Sequence, residues 1–566
     1  MKKIFGVEKF KSLLVAGSFT ILASYVVRLS DSIVAGNMIG EDALAGVNLV
    51  GPCLSAVSFL AGLIATGCGT EYSLAMGRCD VRRARQFFMQ AIWSVAIFGG
   101  GLALTLLLGR DLFLSLMGAS AEVTACARAY MSWVWPVAVL EGALMLLVSL
   151  GYADGDSRLC TIAYVVVFIG NFAVSIGAVK LGMGAGGCAL GSIVSESLGV
   201  LVMCTHFRRK SNTFAPVRHF AWRDSWRIAC ASFGDAAAFL CDSLLFLFLN
   251  VFVIAHFGSG VLPVVGVATA LWGFLQFFNG IGVAIQPIVT VYHGERNTRS
   301  LRTVMNAAML VAVVEGVAVM AVVGFFPRLV VGMVGITDPE LVRQSCLAVR
   351  LMGAGFLALA FAGLFNSYYM FVEKSLLAGV VTFLCYLVFP VACVAACSTL
   401  GVNGVWAGIG IGPFAGVVSS SLFIVAIEGR RMYPLLISRE RDAGLHVFDL
   451  ELNDFEIVNV SRQIAGELKL AGQPNAVSIR ASLMAEEVLM AVKDRNAGRK
   501  VLAEATLDLN DGVSLTLRDD GEIFDITDAD AKIASLRSFL VASMMQFHDG
   551  RMNLVTTGFN RNVFRF

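Results

Sequence analysis

Arg28, Asp31, Glu141, Glu196 and Asp242 all lie inside long apolar stretches of this 566-residue sequence. If those stretches sit in lipid, each charge costs roughly 2.5–3.5 kcal/mol near the bilayer centre, and it is kept there by a partner or a task. Arg28 and Asp31, in YVVRLSDSIVAG, are three residues apart and share one face of a helix. They can cancel each other's insertion cost as a fixed pair, or carry a function. Glu141 and Glu196 are placed either to attract a cationic solute or to hydrogen-bond a neighbouring helix. Trp133, Trp135, Trp272, Phe274 and Tyr368 can hold flat cations against their ring faces, or pack against lipid and core.

These side chains act only if apolar helices hold them. The chain is 57% hydrophobic and 15% charged, with mean hydropathy +0.76. Soluble globular domains are about a quarter charged, so this composition describes a polytopic membrane protein. A spanning helix needs about 20 mainly apolar residues. Twelve stretches qualify: 12–36, 43–70, 86–108, 130–152, 160–179, 186–206, 227–256, 262–291, 303–325, 346–371, 375–398 and 404–427. The thirteen cysteines all precede residue 398 and show neither zinc-ligand spacing nor a disulfide framework, so they read as small buried hydrophobes and no metal is expected.

Charge placement orients the spans. The N-terminal MKKIFGVEKFK runs into the first span without a small-residue cleavage site and reads as a cytoplasmic flank. Lys and Arg crowd that flank, the second loop (Arg78, Arg82, Arg83, Arg85), the sixth loop (Arg208, Arg209, Lys210, Arg218, Arg223, Arg227) and the eighth (Arg296, Arg299, Arg302). The positive-inside rule then puts both chain ends in the cytoplasm.

The chain also repeats itself. MGRCDVRRAR at 76–85 aligns with HGERNTRSLR at 293–302 at an offset of 217, and the same offset carries Asp156 onto Glu373 and Gly187 onto Gly404. A constant offset at three separate places indicates duplication of a six-helix unit with parallel topology, whose shared site is expected near the midplane between or within the halves. The expected organisation is an N-lobe (1–207), a basic cytoplasmic linker (208–226), a C-lobe (227–430), a second linker (431–442) and a soluble domain (443–566).

With these elements in place, several stretches resemble MATE (multidrug and toxic compound extrusion) transporters, particularly the bacterial multidrug efflux branch. LSDSIVAGNMIGEDALAGVNLVGP is similar to that family's first-helix signature, an aspartate followed by Gly36, Gly40 and Ala43-Leu44-Ala45. NGIGVAIQPIVTVYHGERNTRSLR is similar to its eighth-helix pattern of Gly280, Gly282, Gln286, Pro287 and Gly294, and GYADGD at 151–156 resembles its loop after helix four. The resemblance covers about residues 1–430. It implies an all-α membrane fold of twelve helices in two six-helix lobes. It further implies an ion-coupled secondary antiporter rather than an enzyme, exporting small lipophilic or cationic compounds across the bacterial cytoplasmic (inner) membrane as a monomer.

On this resemblance Asp31 binds the coupling ion, H⁺ or Na⁺, and Asp242 falls where some sodium-coupled relatives carry a glutamate. Arg28 departs from the pattern: many relatives have a neutral polar residue there, often Asn, and an arginine so close to Asp31 can occupy the cation's place. Gln286 and Tyr368 join Glu141 and Glu196 as expected cavity residues. Gly36, Gly280 and Gly282 permit close helix approach, and Pro287 removes a backbone hydrogen bond and favours a bend. Beyond the coupling ion no cofactor is expected, and the expected partners are small molecules and the bilayer, not nucleic acid. Two other readings stay open: a lipid-linked saccharide flippase of the same superfamily, and a transporter-like sensor that signals through the tail.

The tail is polar and cysteine-free, and long enough for one small domain. VSIRASLMAEEVLMAVKDRN has helical spacing, whereas ATLDLNDGVSLTLRDDGEIFDITD reads as two strands joined at Asn510-Asp511-Gly512, and NRNVFRF closes the chain as another strand. This order resembles the histidine-kinase-type ATPase domain, especially that of anti-sigma-factor serine kinases. RDDGEIFD is similar to its adenine box, which implies Asp519 against the adenine amino group, Gly521 admitting the ring and Asp525 nearby; Glu487 falls on its magnesium helix. Ala491 stands where that family has a magnesium-binding Asn, and IASLRSFL (533–540) replaces the glycine-rich lid. The implied module is an α+β sandwich with at most a residual ATP site, degenerate in catalysis, regulatory in role and open to a cytoplasmic protein partner.

Overall fold

In lipid every backbone N–H and C=O has to find its partner inside the chain, so a long apolar stretch folds as a helix. In the computed structural model these stretches are helices. The structure describes residues 3–117, 121–209, 212–258, 261–334, 338–430, 437, 439–522, 552–556 and 559–566; Asp525 and the side chains of Arg28 and Phe274 lie outside the described residues. The first half holds α1 (Phe5–Met38), α2 (Asp42–Gly77), α3 (Val81–Leu108), α4 (Ala121–Val134 and Val137–Ala153), α5 (Ser157–Lys180) and α6 (Ala185–Arg208). The second holds α7 (Phe233–Phe257), α8 (Leu262–Phe274 and Asn279–Gly294), α9 (Thr298–Phe325), α10 (Pro339–Gly353 and Phe356–Phe371), α11 (Ser375–Leu400) and α12 (Val402–Glu428). Among the described residues, eight of these are single helices long and apolar enough to cross a membrane, or ten if each bent pair counts as one span.

Two spans that read as straight in the sequence are broken. α4 bends by 52° around Pro136, which has no N–H to continue the ladder. α10 bends by 47° at its break, where Gly355 packs against the backbone of Gly410. A short amphipathic helix, Trp222–Ala231, leads into α7; it exposes Trp222 and Trp226 and turns Asp224 inward to pair with Arg83.

The halves meet along α8, which packs against both α1 and α2. Missing side chains allow the approach: a Cβ on Gly280 would come within 2.7 Å of Ser18 Cα in α1. At the end of the molecule that bears the tail, a Cβ on Gly294 would lie 3.0 Å from both Gly77 Cα and Leu74 O. Gly77 and Gly294 are equivalents in the 217-residue repeat, so duplication and tightest packing coincide at one seam.

The tail is a five-stranded antiparallel sheet of order β1-β2-β3-β5-β4, with β1 Leu445–Glu451, β2 Leu502–Asp508, β3 Ser514–Asp519, β4 Met552–Thr556 and β5 Phe559–Arg565. The expected hairpin joins β2 to β3, with Gly512 at φ 103°, a conformation glycine adopts freely. Helices α13 (Asp454–Leu470) and α14 (Asn475–Arg495) cover one face. Strand side chains alternate between faces. Ala503, Ala505, Leu507, Leu515, Leu517 and Phe564 therefore join the core with α13 and α14, and Glu504, Thr506, Arg518 and Arg561 turn to the membrane part. The small α+β domain is present; its likeness to a kinase-type ATPase goes no further than the sequence.

Overpacking a close-packed contact typically costs 1–3 kcal/mol. Gly294→Val should therefore lower the thermal unfolding midpoint of the purified protein, whereas Gly324→Val, at a glycine whose Cβ would meet nothing within 4 Å, should not. Equal midpoints for the two variants would show that the seam is not tightly packed.

Candidate functional site

A cavity of about 280 Å³ lies between the halves. Its walls come from Thr20 and Ile21 of α1, Gly62 and Thr66 of α2, Ser149 and Tyr152 of α4, Tyr164 of α5, Asp235 and Phe239 of α7, Gly282 and Gln286 of α8, and Ser367 and Phe371 of α10. The surface is mainly apolar and aromatic, and its polar groups are held in place. Thr66 donates to Asp235 at 3.1 Å, Gln286 Nε2 donates to the Thr66 carbonyl and to Thr70 Oγ1 at 3.2 Å each, and the Thr20 and Tyr152 hydroxyls share a 2.8 Å hydrogen bond. No lysine or arginine is among the described lining residues.

Of the residues singled out from the sequence, Gln286 and Gly282 line this cavity, and Pro287 follows inside α8. Glu141, Glu196 and Tyr368 do not line it. Glu141 accepts from Ser58 at 2.7 Å, Glu196 is buried on α6, and Tyr368 is buried against Tyr369. Helical phase explains Tyr368: one residue turns a side chain by about 100°, so Ser367 and Phe371 reach the cavity and Tyr368 reaches the core. Gly36 packs against Leu44 within the first half, and Trp133 and Trp135 are partly exposed on α4.

Asp31 sits in a separate polar pocket inside the first half. Tyr130 donates to its Oδ2 at 2.6 Å and Ser192 at 3.0 Å, while Asn171 accepts from Ser30 at 2.5 Å and donates to Ser192 at 2.9 Å. Its Oδ1 is buried and takes no hydrogen bond among the described residues. Asp242 lies in the second half, accepting from Trp272 Nε1 at 2.8 Å. The carboxylate that reaches the central cavity is Asp235, which sequence reasoning missed. It lies seven residues, about two turns, before Asp242 on α7, and also borders a small cavity with Asn366 and Tyr386. The available signal was an acid two turns before Asp242 in the small-residue run SFGDAAA, whose Gly234 packs against Asn366 and Ala378.

Toward the tail, ion pairs close the seam. Arg227 pairs with Glu71 of α2 at 2.8 Å and reaches Glu373, just past α10, at 3.6 Å; Glu373 also pairs with Arg78 and, at 3.8 Å, with His293. Arg78 belongs to the first half and Glu373 to the second, so this network ties the two together. His293, with Arg78, holds the Glu373 carboxyl at about 2, well below its usual value and against the upward push of burial. In the sequence Glu373 and Arg78 were markers of the repeat only.

The tail sheet docks on the same seam. Arg561 donates to the carbonyls of Met76 (2.7 Å) and Gly77 (2.9 Å), and its Nε lies 2.6 Å from Glu295 Oε1. Arg518 pairs with Glu295 and with Glu504. Tyr292 and Ser300 donate to Glu504 at 3.0 and 3.2 Å. Of the expected nucleotide residues, Asp519 is buried at the end of β3, accepting from Asn560 (2.8 Å) and from the Gly521 N–H (3.0 Å), and burial pushes its carboxyl up to about 7. Gly521 is pressed against the Asn496 side chain, Glu487 lies on α14, and Asp525 is outside the described residues.

The MatE family model matches the chain twice, over residues 18–176 and 236–394. Solved structures share the fold at low identity. One is an outward-facing multidrug resistance MATE family transporter of the MOP superfamily (21% identity, 76% of this chain and 100% of that one, TM-score 0.68). Another is a MATE protein in complex with MaL6 (20% identity, 75% and 97%, TM-score 0.69). A third is a MOP superfamily transporter from Pyrococcus furiosus, for which a reversed polarity of the binding pocket suggests a different function (20% identity, 76% and 99%, TM-score 0.69). No curated protein matches the chain by sequence.

Glu373 titrates below its usual value in the folded protein, so its pairing contributes fully above the ordinary carboxyl value of 4.5 and is lost as pH falls from there through about 2. Glu373→Gln should therefore lower the thermal midpoint at about pH 5.5 at least as much as at about pH 8, because a protonated His293 adds to the pairing. A difference that disappears at the lower pH would show that the carboxyl is already protonated there.

Proposed function

The chain belongs to the MatE family, and we propose that it is an ion-coupled secondary antiporter that exports small lipophilic cations under the control of its C-terminal domain. The observation that carries this reading is the cavity between the halves. Apolar and aromatic walls remove water from a flat organic cation, ring faces attract it, and the Asp235 carboxylate balances its charge. A flippase for a pyrophosphate-linked lipid would need basic groups there, and the described lining has none. The clustering of Lys and Arg at the tail-bearing end supports a cytoplasmic tail in the bacterial inner membrane, with all twelve helical units crossing it.

The proton or sodium ion exchanges at Asp31. Two donors reach one of its oxygens while the other is buried without a hydrogen bond among the described residues, and the surrounding hydroxyls and amide come from α1, α4, α5 and α6. Thr20, in the cavity wall, lies on the same helix about three turns away. A change of occupancy at Asp31 thus repacks α1 against its neighbours and alters the cavity, which couples ion and cargo through their differential affinity for two states.

Ethidium transport in proteoliposomes, with proton and sodium gradients imposed separately, tests this. Asp31→Asn should abolish gradient-driven transport while leaving the protein folded, and Arg28→Asn should shift its pH profile. Asp235→Asn should raise KM for ethidium about tenfold, equivalent to ~1.4 kcal/mol. Undiminished gradient-driven transport in Asp31→Asn would remove that residue from coupling, and an unchanged KM in Asp235→Asn would remove the cation site.

A further inference from the structure

The sheet contains a row of charges that would not be stable in isolation. Register places Glu504 directly opposite Arg518, and Arg518 directly opposite Arg561, on the face turned away from α13 and α14. Like charges opposed across antiparallel strands repel, and both guanidinium groups are fully buried, where an unmatched charge is strongly destabilising. The missing anion comes from the membrane part: Glu295, in the loop between α8 and α9, pairs with both arginines. Asp449, opposite Glu504, continues the row on β1 but lies three strands from Arg561, so among the described residues Glu295 is the carboxylate that reaches Arg561.

Arg561 directs its other donors to Met76 and Gly77 in the last turn of α2. Carbonyls there lack helical partners and form the negative end of the helix dipole, and the planar guanidinium fork can engage two of them at once. One side chain therefore joins α2 of the first half to Glu295 of the second, beside the contact of Gly77 with Gly294. The second half adds Asn297 to Thr506 (3.4 Å) and Arg302 to Asp442 (2.8 Å); the first adds the Phe5 N–H to Asp449 (2.8 Å) and Lys9 to Asp520 (3.3 Å).

We propose that the C-terminal sheet is a latch: it fastens the halves together across Met76–Gly77 and Glu295, and the passage opens on the tail side only when Arg561 releases α2. The latch rests on the functional reading above, in which the halves part to admit cargo. Arg561 holds α2 through neutral carbonyls and the second half through a buried ion pair, so release occurs at α2, with the Phe5 and Lys9 contacts of the first half, and the sheet moves with the second half.

Cys79, whose Sγ lies 3.4 Å from Arg561 Nη2, reports on the grip. Full-length protein in proteoliposomes, tail outward, is alkylated with a membrane-impermeant maleimide, and labelling is read peptide by peptide to separate Cys79 from the other cysteines. Arg561→Gln should label Cys79 at least about fivefold faster than wild type, with Arg561→Lys between them. It should also raise ethidium turnover about threefold, because the tail-side opening is no longer restrained. Unchanged Cys79 labelling overturns the latch, and so does equally fast labelling in Lys493→Gln, which disrupts ion pairs to Asp454 and Asp494 in the helical layer on the other face of the sheet. Faster labelling with unchanged or slower turnover overturns the restraint. If neither wild type nor variant moves ethidium, the cargo reading fails and the Cys79 rate alone decides the latch. If Arg561→Gln does not fold, Arg561→Lys decides it on the same criteria.

Discussion

Two arginines opposed on neighbouring strands each require a carboxylate within reach, and among the described residues their own sheet places one, Glu504, against Arg518. Glu504 balances one guanidinium; the second is matched only when Glu295 enters from the membrane part. Docking thus gives Arg561 its carboxylate, and it places the tail over the line where the halves touch. Through this constraint the small C-terminal domain becomes mechanically relevant to the helices it sits on. Its buried face is completed by the structure it must release for the halves to separate.

The same seam explains why the cavity sits where it does. From Gly280 to Gly294, α8 lies close against α1 and α2 because small residues permit it, and Glu71, Arg227, Glu373 and Arg78 add ion pairs below. Above that closure Gln286 bonds to α2 and the walls diverge around Asp235. Packing, the ion network and the docked sheet therefore act at three successive depths on one surface.

Much of this was legible in the sequence, for physical reasons. The spans follow from hydrophobic length, the duplication from one offset, and the β2–β3 hairpin from Asn510-Asp511-Gly512. What escaped depends on phase or distance. Tyr368 differs from Ser367 and Phe371 by helical rotation and Asp235 from Asp242 by two turns along one face, and a composition pattern resolves neither. The break in α4 needed Pro136 to be weighed as a bend rather than as part of a span. Glu295 and Arg561 meet only in three dimensions; NRNVFRF announces a strand, but alternation alone does not say which carboxylate its arginine will face.

The duplicated loops show how the docking is made one-sided. Cys79 and Arg296, equivalent in the repeat, both have positive φ (63° and 60°), a conformation disfavoured for side-chain-bearing residues. Asp80 and Asn297, the next pair, both cap the following helix, accepting from the N–H of Arg83 and Ser300. Backbone and cap are thus shared, but the residue after the seam glycine is not: the first half has Arg78 and the second has Glu295. A sheet presenting Arg518 and Arg561 is attracted to one loop and would be repelled by the other if it docked the opposite way round. Specificity of this kind comes from the repulsive alternative as much as from the attractive contact. The charge difference at one position, on an otherwise duplicated scaffold, decides that the ion pair forms on the second half and leaves α2 to be held by its carbonyls.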